Sequence, residues 1–248
     1  MKIAIAGGTG LVGTLVVELA EAAGHQVVVL ARGRGTDLET GHGVTAALDG
    51  VAAVIDVTNV VTVSARRSSR FFSAVTSNLL AAEHTTGVGH HVALSIVGVD
   101  RAPYGYYAGK RAQERLLEAG PVPWTILRAT QFHEMAAIAY ESARLGPLHL
   151  APRMRTQPVA ARETAEHLVD LAEAAPAGRT IELAGPREES LVAMIRAYAL
   201  TTGSRSWTPA VSLPGAFGRA QRDGTLLPSA EAVLGRQTFA DWIAARTR

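Results

Sequence analysis

The sequence predicts a doubly wound α/β fold built on a mainly parallel sheet. Three observations carry that expectation. Short apolar strands alternate with helical stretches as far as Ala129, a glycine-rich turn joins the first strand to the first helix, and 48% of the 248 residues are hydrophobic. Alternation of this kind pairs strands in parallel through right-handed crossovers, and a chain of this size and composition can bury a sizeable core.

The elements follow in order. Lys2–Ala6 (KIAIA) reads as a short buried strand, and Gly7 to Gly13 as a tight turn. Leu11 to Ala23 has helical apolar spacing at Leu11, Leu15, Val16 and Leu19 and stops at Gly24. Gln26–Leu30 is a second strand; Val54–Val57 and His91–Ser95 are two more, with a helix over Phe71–Thr86 between them. The segment from the second strand to Ala46 is short, so the third strand of a full sheet is expected to be short or missing. Tyr106–Ala119 is strongly helical and ends at Gly120-Pro121, and Trp124–Ala129 is a further strand.

Beyond about Thr130 the pattern loosens. Pro147, Pro152 and Pro158 punctuate it, around an arginine-containing loop over Pro152–Gln157. Glu163–Ala174 reads as a helix, Arg179–Leu183 as a strand and Leu191–Thr201 as a helix. A Gly/Pro-rich stretch runs over Pro209–Pro228, and Phe239–Arg246 forms a short amphipathic helix. Residues 1–248 are therefore read as a single Rossmann-type domain, with residues 130–248 contributing most of a small C-terminal substrate lobe.

Composition narrows the function classes. With 24 basic and 22 acidic residues, the chain gives no reason to expect nucleic acid as a partner. It has no cysteine, which excludes disulfides, thiolate catalysis and cysteine-ligated metals. No stretch approaches the roughly 20 apolar residues of a membrane span, and the start reads as strand and turn rather than a signal peptide. A soluble cytoplasmic protein acting on a small molecule is the expectation.

Gly7, Gly10 and Gly13 form G-x-x-G-x-x-G between a strand and a helix. The first glycine permits the turn, the second lets backbone approach a diphosphate, and the third lets helix and strand pack closely. Thr9, Leu11 and Val12 belong to the same site, at the helix N-terminus that favours an anion. The second strand runs into Ala31-Arg32 with no acidic residue to bind a ribose 2′-hydroxyl. Arg32 and Arg34 suit a 2′-phosphate instead, so NADP(H) is the expected cofactor. Asp37 and Leu38 are placed near the adenine.

Tyr106 and Lys110 form Y-x-x-x-K at a helix start, which puts both on one face one turn apart. A neighbouring ammonium favours the phenolate and lowers the tyrosine pKa, so the pair can pass a proton to or from a carbonyl or alcohol oxygen. Of the 24 basic residues only Lys2 and Lys110 are lysine, so a compact ammonium is singled out at 110. Ser95, at a strand end, is a third candidate for that oxygen.

The segments GGTGLVG, DVTN (Asp56–Asn59), HHVALSIVGVD, YYAGKRAQERLLEAG, WTILRATQFHEM and FADWIA resemble the atypical short-chain dehydrogenase/reductases of the NmrA-like NAD(P)-binding family. The resemblance implies that Gly7, Gly10 and Gly13 hold the diphosphate and that Arg32 sets NADP preference. It further implies that Thr58 and Asn59 line the ribose–nicotinamide path and that Tyr106 and Lys110 match the family's Tyr-Lys pair. The spacing from Ser95 to Tyr106 differs from that of the best-studied reductases. Some relatives lack the tyrosine and act as redox sensors, whereas this chain keeps it.

Arg66, Arg67 and Arg70 follow a strand and offer two readings, a contact for an acidic substrate at the sheet's C-terminal edge or a solvated helix start, of which the second is favoured. Neither His133-Glu134 nor His90-His91 has metal-ligand spacing, so no metal is expected. Phe132, His133 and Met135 follow a strand end and are expected to wall a substrate pocket. The reading is an NADP(H)-dependent oxidoreductase reducing a carbonyl or quinone-like molecule. The alternatives are a non-catalytic NADP(H)-binding redox sensor that regulates a protein partner, and an isomerase or epimerase that retains its cofactor.

Overall fold

The computed structural model describes residues 1–146, 148–204 and 206–246, so Pro147 lies outside the described residues. Its centre is a seven-stranded parallel sheet. In chain order the first strands are β1 (Lys2–Ala6), β2 (Gln26–Leu30), β3 (Ala53–Asp56), β4 (His90–Ile96) and β5 (Trp124–Ala129). Across the sheet the order is Val233–Leu234, Thr180–Ala184, β5, β4, β3, β1, β2. β1 lies between β2 and β3, with Ala6 level with Leu30 on one side and Asp56 on the other. Among the described residues no strand lies outside β2, so the third strand of a full doubly wound sheet is missing. A 3-10 turn (Arg32–Arg34) and the one-turn helix α2 (Val44–Ala47) take its place.

The buried strands explain their own sequences. Every residue of β3 is buried, and β1 buries all but Lys2, as expected for near-continuous apolar strands covered on both faces. Between them run α1 (Leu11–Ala22), α3 (Ala65–Thr86) and α4 (Tyr106–Ala119). α3 begins well before the expected Phe71. Ser64 accepts a hydrogen bond from the Arg67 amide at 3.3 Å, an N-cap that satisfies one free donor of the first turn. Arg66, Arg67 and Arg70 are thus exposed on the start of a helix, as read from the sequence. Leu79, Val75, Val54, Leu48 and Leu30 share one core cluster, and Leu117, Ile126 and Ala93 share another.

The chain divides into two compact units, residues 1–128 with 162–181, and residues 129–161 with 182–248. The first includes residues 162–181, which lie within the stretch expected to contribute most of the lobe. Helix α6 (Ala161–Glu173) explains why, since Glu173 bonds His25 at 2.6 Å and Arg162 bonds Glu18 at 3.1 Å. In the second unit α5 (Met135–Ser142), α7 (Leu191–Thr201) and α9 (Phe239–Arg246) bury Ala136, Met194, Phe239 and Trp242 together. The Gly/Pro-rich stretch contains one further helix, α8 (Gly215–Arg222). Among the described residues no helix is long and apolar enough to cross a membrane.

Candidate functional site

The glycine turn has the geometry its spacing implies. Gly7 adopts φ +84°, and a Cβ there would lie 2.9 Å from the Val57 carbonyl oxygen and 3.0 Å from Thr58 Cα. Only glycine suits both the left-handed backbone and the contact. A Cβ on Gly13 would lie 2.1 Å from the Gly7 oxygen, so α1 packs directly onto the turn. Gly10 differs. A Cβ there would meet nothing nearer than Gly7 O at 3.4 Å, which leaves open space over the turn. Gly10 is also the N-cap of α1, with no side-chain cap and no acidic residue in the first turn. Thr9, Gly10 and Leu11 are exposed there, while Val12 and Gly13 are buried. An uncapped helix N-terminus beneath open space is a cradle for an anion.

Arg32 and Arg34 lie in the 3-10 turn directly after β2. Both are exposed, and among the described residues neither guanidinium has a hydrogen-bond or ion-pair partner. Asp37 and Leu38 take local roles. Asp37 accepts from the Glu39 amide at 2.9 Å, and Leu38 packs against the core cluster under β2.

Thr58 ties the turn to the second half of the site. It abuts Gly7, its amide donates to Asp56 Oδ1 at 2.9 Å, and its carbonyl accepts from Lys110 Nζ at 3.4 Å. Its own Oγ1 is buried without a partner. A buried hydroxyl left unpaired costs about 1–3 kcal/mol, so this one is a natural contact for a ribose or amide group. Asn59 is exposed, and its Oδ1 accepts from the Val60 amide at 2.9 Å. The free hydroxyl, the open space at Gly10 and the uncapped helix together fit a dinucleotide.

Tyr106 and Lys110 occupy one face of α4 and meet on the same ring. Phe72 of α3 packs edge-on to Tyr106 at 5.6 Å between centroids, and Lys110 Nζ sits 4.3 Å from the Phe72 centroid. The start of α4 is fixed by Ser68, whose hydroxyl donates to the Tyr106 carbonyl at 2.7 Å. Gly109 permits this approach, because a Cβ there would lie 2.2 Å from Ser68 Oγ.

Lys110 is buried, and its ammonium donates to Leu94 O at 2.8 Å and Gln113 Oε1 at 3.0 Å as well as to Thr58 O. Burial lowers its pKa to about 8, against the opposing pull of Asp56 and Glu114. Gln113 in turn donates to Asp56 Oδ2 at 2.7 Å. The sequence reading missed Asp56 and Gln113. The signal available was that Tyr106, Lys110, Gln113 and Leu117 fall on one helical face, an odd place for polar residues unless they pair.

Two expectations need correction. The lysine was expected to lower the tyrosine pKa, but the Tyr106 phenol is pushed above its ordinary range, first by burial and then by Tyr107 and Asp56. The ammonium is committed to Leu94, Gln113 and Thr58 and does not offset that burial. Ser95 was expected to share the reacting oxygen, but its hydroxyl donates to buried Glu114 at 2.7 Å. Glu114 is also held by Arg128 Nε at 2.8 Å and Nη2 at 2.7 Å, and by Arg111 at 3.1 Å. Ser95 thus belongs to an ion-pair network.

The pocket-wall candidates lie in the second unit. Phe132 is partly buried and bridges to Val159, and Met135 opens α5. His133 is fully buried, with its ring 5.9 Å from Phe239 and 6.0 Å from Trp242, and its Nε2 lies 3.2 Å from Gln237 O. It is packed inside that unit's own core. His90 and His91 are also engaged, with Thr125 at 2.9 Å and Glu83 at 2.8 Å respectively.

Comparison with known proteins shows the family and the fold. Residues 7–175 match the model of a family described as NAD(P)H-binding. The chain belongs to that family. No curated protein sequence matches it at a significant level. Solved structures show the fold. MoeE5, in complex with UDP-glucose and NAD, is 15% identical and superposes with TM-score 0.77 over 100% of this chain and 97% of that one. A nucleoside-diphosphate-sugar epimerase from Staphylococcus aureus gives 16% identity and TM-score 0.73 over 98% and 99%. An NADPH-dependent quinone oxidoreductase from Escherichia coli, complexed with NADPH, gives 18% identity and TM-score 0.72 over 98% and 99%.

Proposed function

We propose that this NAD(P)H-binding chain is an NADP(H)-dependent oxidoreductase that reduces a carbonyl or quinone-like small molecule. The observation that carries the reading is one run of contacts, from Gly7 through Thr58 to Lys110. It supports the reading by linking the Tyr106–Lys110 helix to the glycine turn through Thr58.

Each residue then has a role. The backbone of Gly7 to Gly13 holds the diphosphate on α1, and Arg32, with Arg34 beside it, meets the 2′-phosphate with a charge-assisted fork. Thr58 and Asn59 face the ribose and nicotinamide side, where the Thr58 hydroxyl gains its missing partner. A bound nicotinamide supplies the hydride. Tyr106 donates the proton to the substrate oxygen, and its raised pKa keeps it in the protonated form a donor needs. Lys110 exchanges its longest bond, to Thr58 O, for a ribose hydroxyl. Ser95 acts only by holding Glu114.

The test is single-turnover NADPH oxidation against a carbonyl and quinone panel, beside equilibrium NADPH titration. Tyr106→Phe keeps the ring and removes the acid, so turnover should fall by about 10²- to 10⁴-fold with affinity nearly unchanged. Unimpaired turnover removes Tyr106 from the mechanism. One observation favours a second reading. Protein acceptors already occupy the Lys110 ammonium, and it does nothing to make Tyr106 a stronger acid. If no substrate turns over while NADPH and NADP⁺ bind with different affinities, the chain is a redox sensor.

A further inference from the structure

The second unit contains a cavity of about 710 Å³, within the size range of small-molecule sites. Every lining residue belongs to that unit, so no residue of the dinucleotide cradle helps to build it. Four arginines line it, namely Arg153, Arg155, Arg196 and Arg222. They come from three places in the chain, the Arg153–Arg155 segment, α7 and α8, so the fold gathers them.

Only one of the four is neutralised. Arg155 forms a two-pronged pair with Glu188, Nε to Oε1 at 2.7 Å and Nη2 to Oε2 at 2.9 Å. Arg196 donates to the Thr208 carbonyl at 3.1 Å and Arg222 to the Leu213 carbonyl at 2.8 Å, both neutral acceptors. The Arg153 backbone is pinned by its amide bond to Val211 O at 2.8 Å, and its guanidinium has no partner among the described residues. The nearby acids are otherwise engaged. Glu189 pairs with Arg187 at 2.8 Å, and Asp223 accepts from Thr225 within its own turn at 2.6 and 3.0 Å.

Two more features bear on the ligand. The start of α7 lines the cavity through Val192 and Ala193, and its N-cap Ser190 makes no side-chain cap. Its positive dipole end therefore adds to the guanidiniums. Met154 and Val192, both largely buried, supply an apolar portion of the wall. Neutral-bonded guanidiniums at a helix start suit a phosphate, and the volume with its apolar wall suits an organic group attached to it.

We propose that this cavity binds a small organic phosphate, with Arg153, Arg196 and Arg222 on the phosphate and Met154 and Val192 against the organic part. Glu188 competes for the site by holding Arg155.

The experiment is calorimetric titration of the full chain, saturated with NADP⁺, using uridine 5′-diphosphate, glucose 6-phosphate and inorganic phosphate. At least one organic phosphate should bind at a single site, more tightly than inorganic phosphate. Arg153→Gln, at an exposed position with no partner to lose, should weaken it about tenfold or more. Glu188→Gln should tighten it severalfold by releasing Arg155, a gain that no loss of folding can produce. Repeating the titration on Gly10→Val, with its cradle blocked, should give the same affinity and so separates this site from the cofactor assignment. The proposal is overturned by no binding of any probe, by equal affinity for all three, or by affinities that neither Arg153→Gln nor Glu188→Gln alters.

Discussion

Replacing Lys110 by methionine keeps a long side chain in the same channel and removes a buried titratable group. In the folded chain that ammonium titrates near pH 8, and in the unfolded chain near its ordinary 10.5. Below about pH 8 both states carry the proton, and the folded state bears the whole cost of burying it, about 3 kcal/mol. Between about pH 8 and 10.5 the folded chain has released the proton while the unfolded chain keeps it, so stability rises with pH. From pH 7 to pH 9.5 the gain should be about 2 kcal/mol. Tyr106 has the opposite sign, because its raised pKa lets the unfolded chain ionise first above about pH 10, so the comparison stops below that point. His91, raised within its Glu83 and Asp56 surroundings, is common to both chains and cancels. The assay is urea unfolding of the parent and Lys110→Met at intervals from pH 7 to 9.5. Lost hydrogen bonds to Leu94, Gln113 and Thr58 lower the variant's stability by a constant amount, so only the slopes matter. The parent should rise and the variant should stay flat by comparison. Parallel curves would mean that Lys110 is not buried as a charge and would refute the reasoning.

The other predictions concern the cradle and the helix crossing. Arg32→Ala should weaken NADPH by roughly 10- to 150-fold and leave NADH nearly unchanged, since a charge-assisted contact is worth about 1.5–3 kcal/mol; equal affinity of the unmutated chain for both cofactors, measured by calorimetry, would sink it. Gly10→Val has room to fold but fills the open space over the turn, so calorimetry should show a folded protein without cofactor affinity, and normal binding would place the cofactor elsewhere. Gly109→Ala should drive α4 off Ser68 and lower stability by more than the gain of about 1 kcal/mol that alanine brings to a helix; a rise in Tm would refute the tight crossing.

The glycine turn was legible because its logic is local. Strand, glycine turn and helix are consecutive, and each glycine is explained by a neighbour within a few residues or by the next strand. The missing third strand was legible for the same reason, since the residues between Leu30 and Ala53 are too few for another strand with a crossover on each side of it. Ser95 was not legible. Its strand-end position pointed to the site edge, but its partner is set by Glu114, whose inward direction depends on Arg128 from a different strand. The α3 start was hidden because Arg66, Arg67 and Arg70 break the apolar pattern. A search for Ser64 as N-cap would have found it. The second unit was the least legible, because its ladders of two residues pair segments far apart in sequence, such as Ala151–Pro152 with Ala210–Val211.

The Tyr-x-x-x-Lys spacing by itself places two side chains on a helix face; what gives the pair a fixed position here is the chain of buried groups behind it. Asp56 accepts from the Gln113 amide nitrogen, and Gln113 presents its oxygen to Lys110. The orientation of Gln113 is therefore determined at both ends, by an acceptor on β3 and a donor on α4. Asp56 also caps the Thr58 amide, and Thr58 abuts Gly7. One carboxylate at the end of β3 thus sets both the turn beside the cradle and the position of the ammonium. Its negative charge, together with that of Glu114, opposes the desolvation of Lys110 and helps keep the lysine charged near neutral pH. Under the proposed function, the aspartate that opens the DVTN segment would couple cofactor geometry to proton chemistry, since it touches both the Thr58 turn and, through Gln113, the Lys110 ammonium.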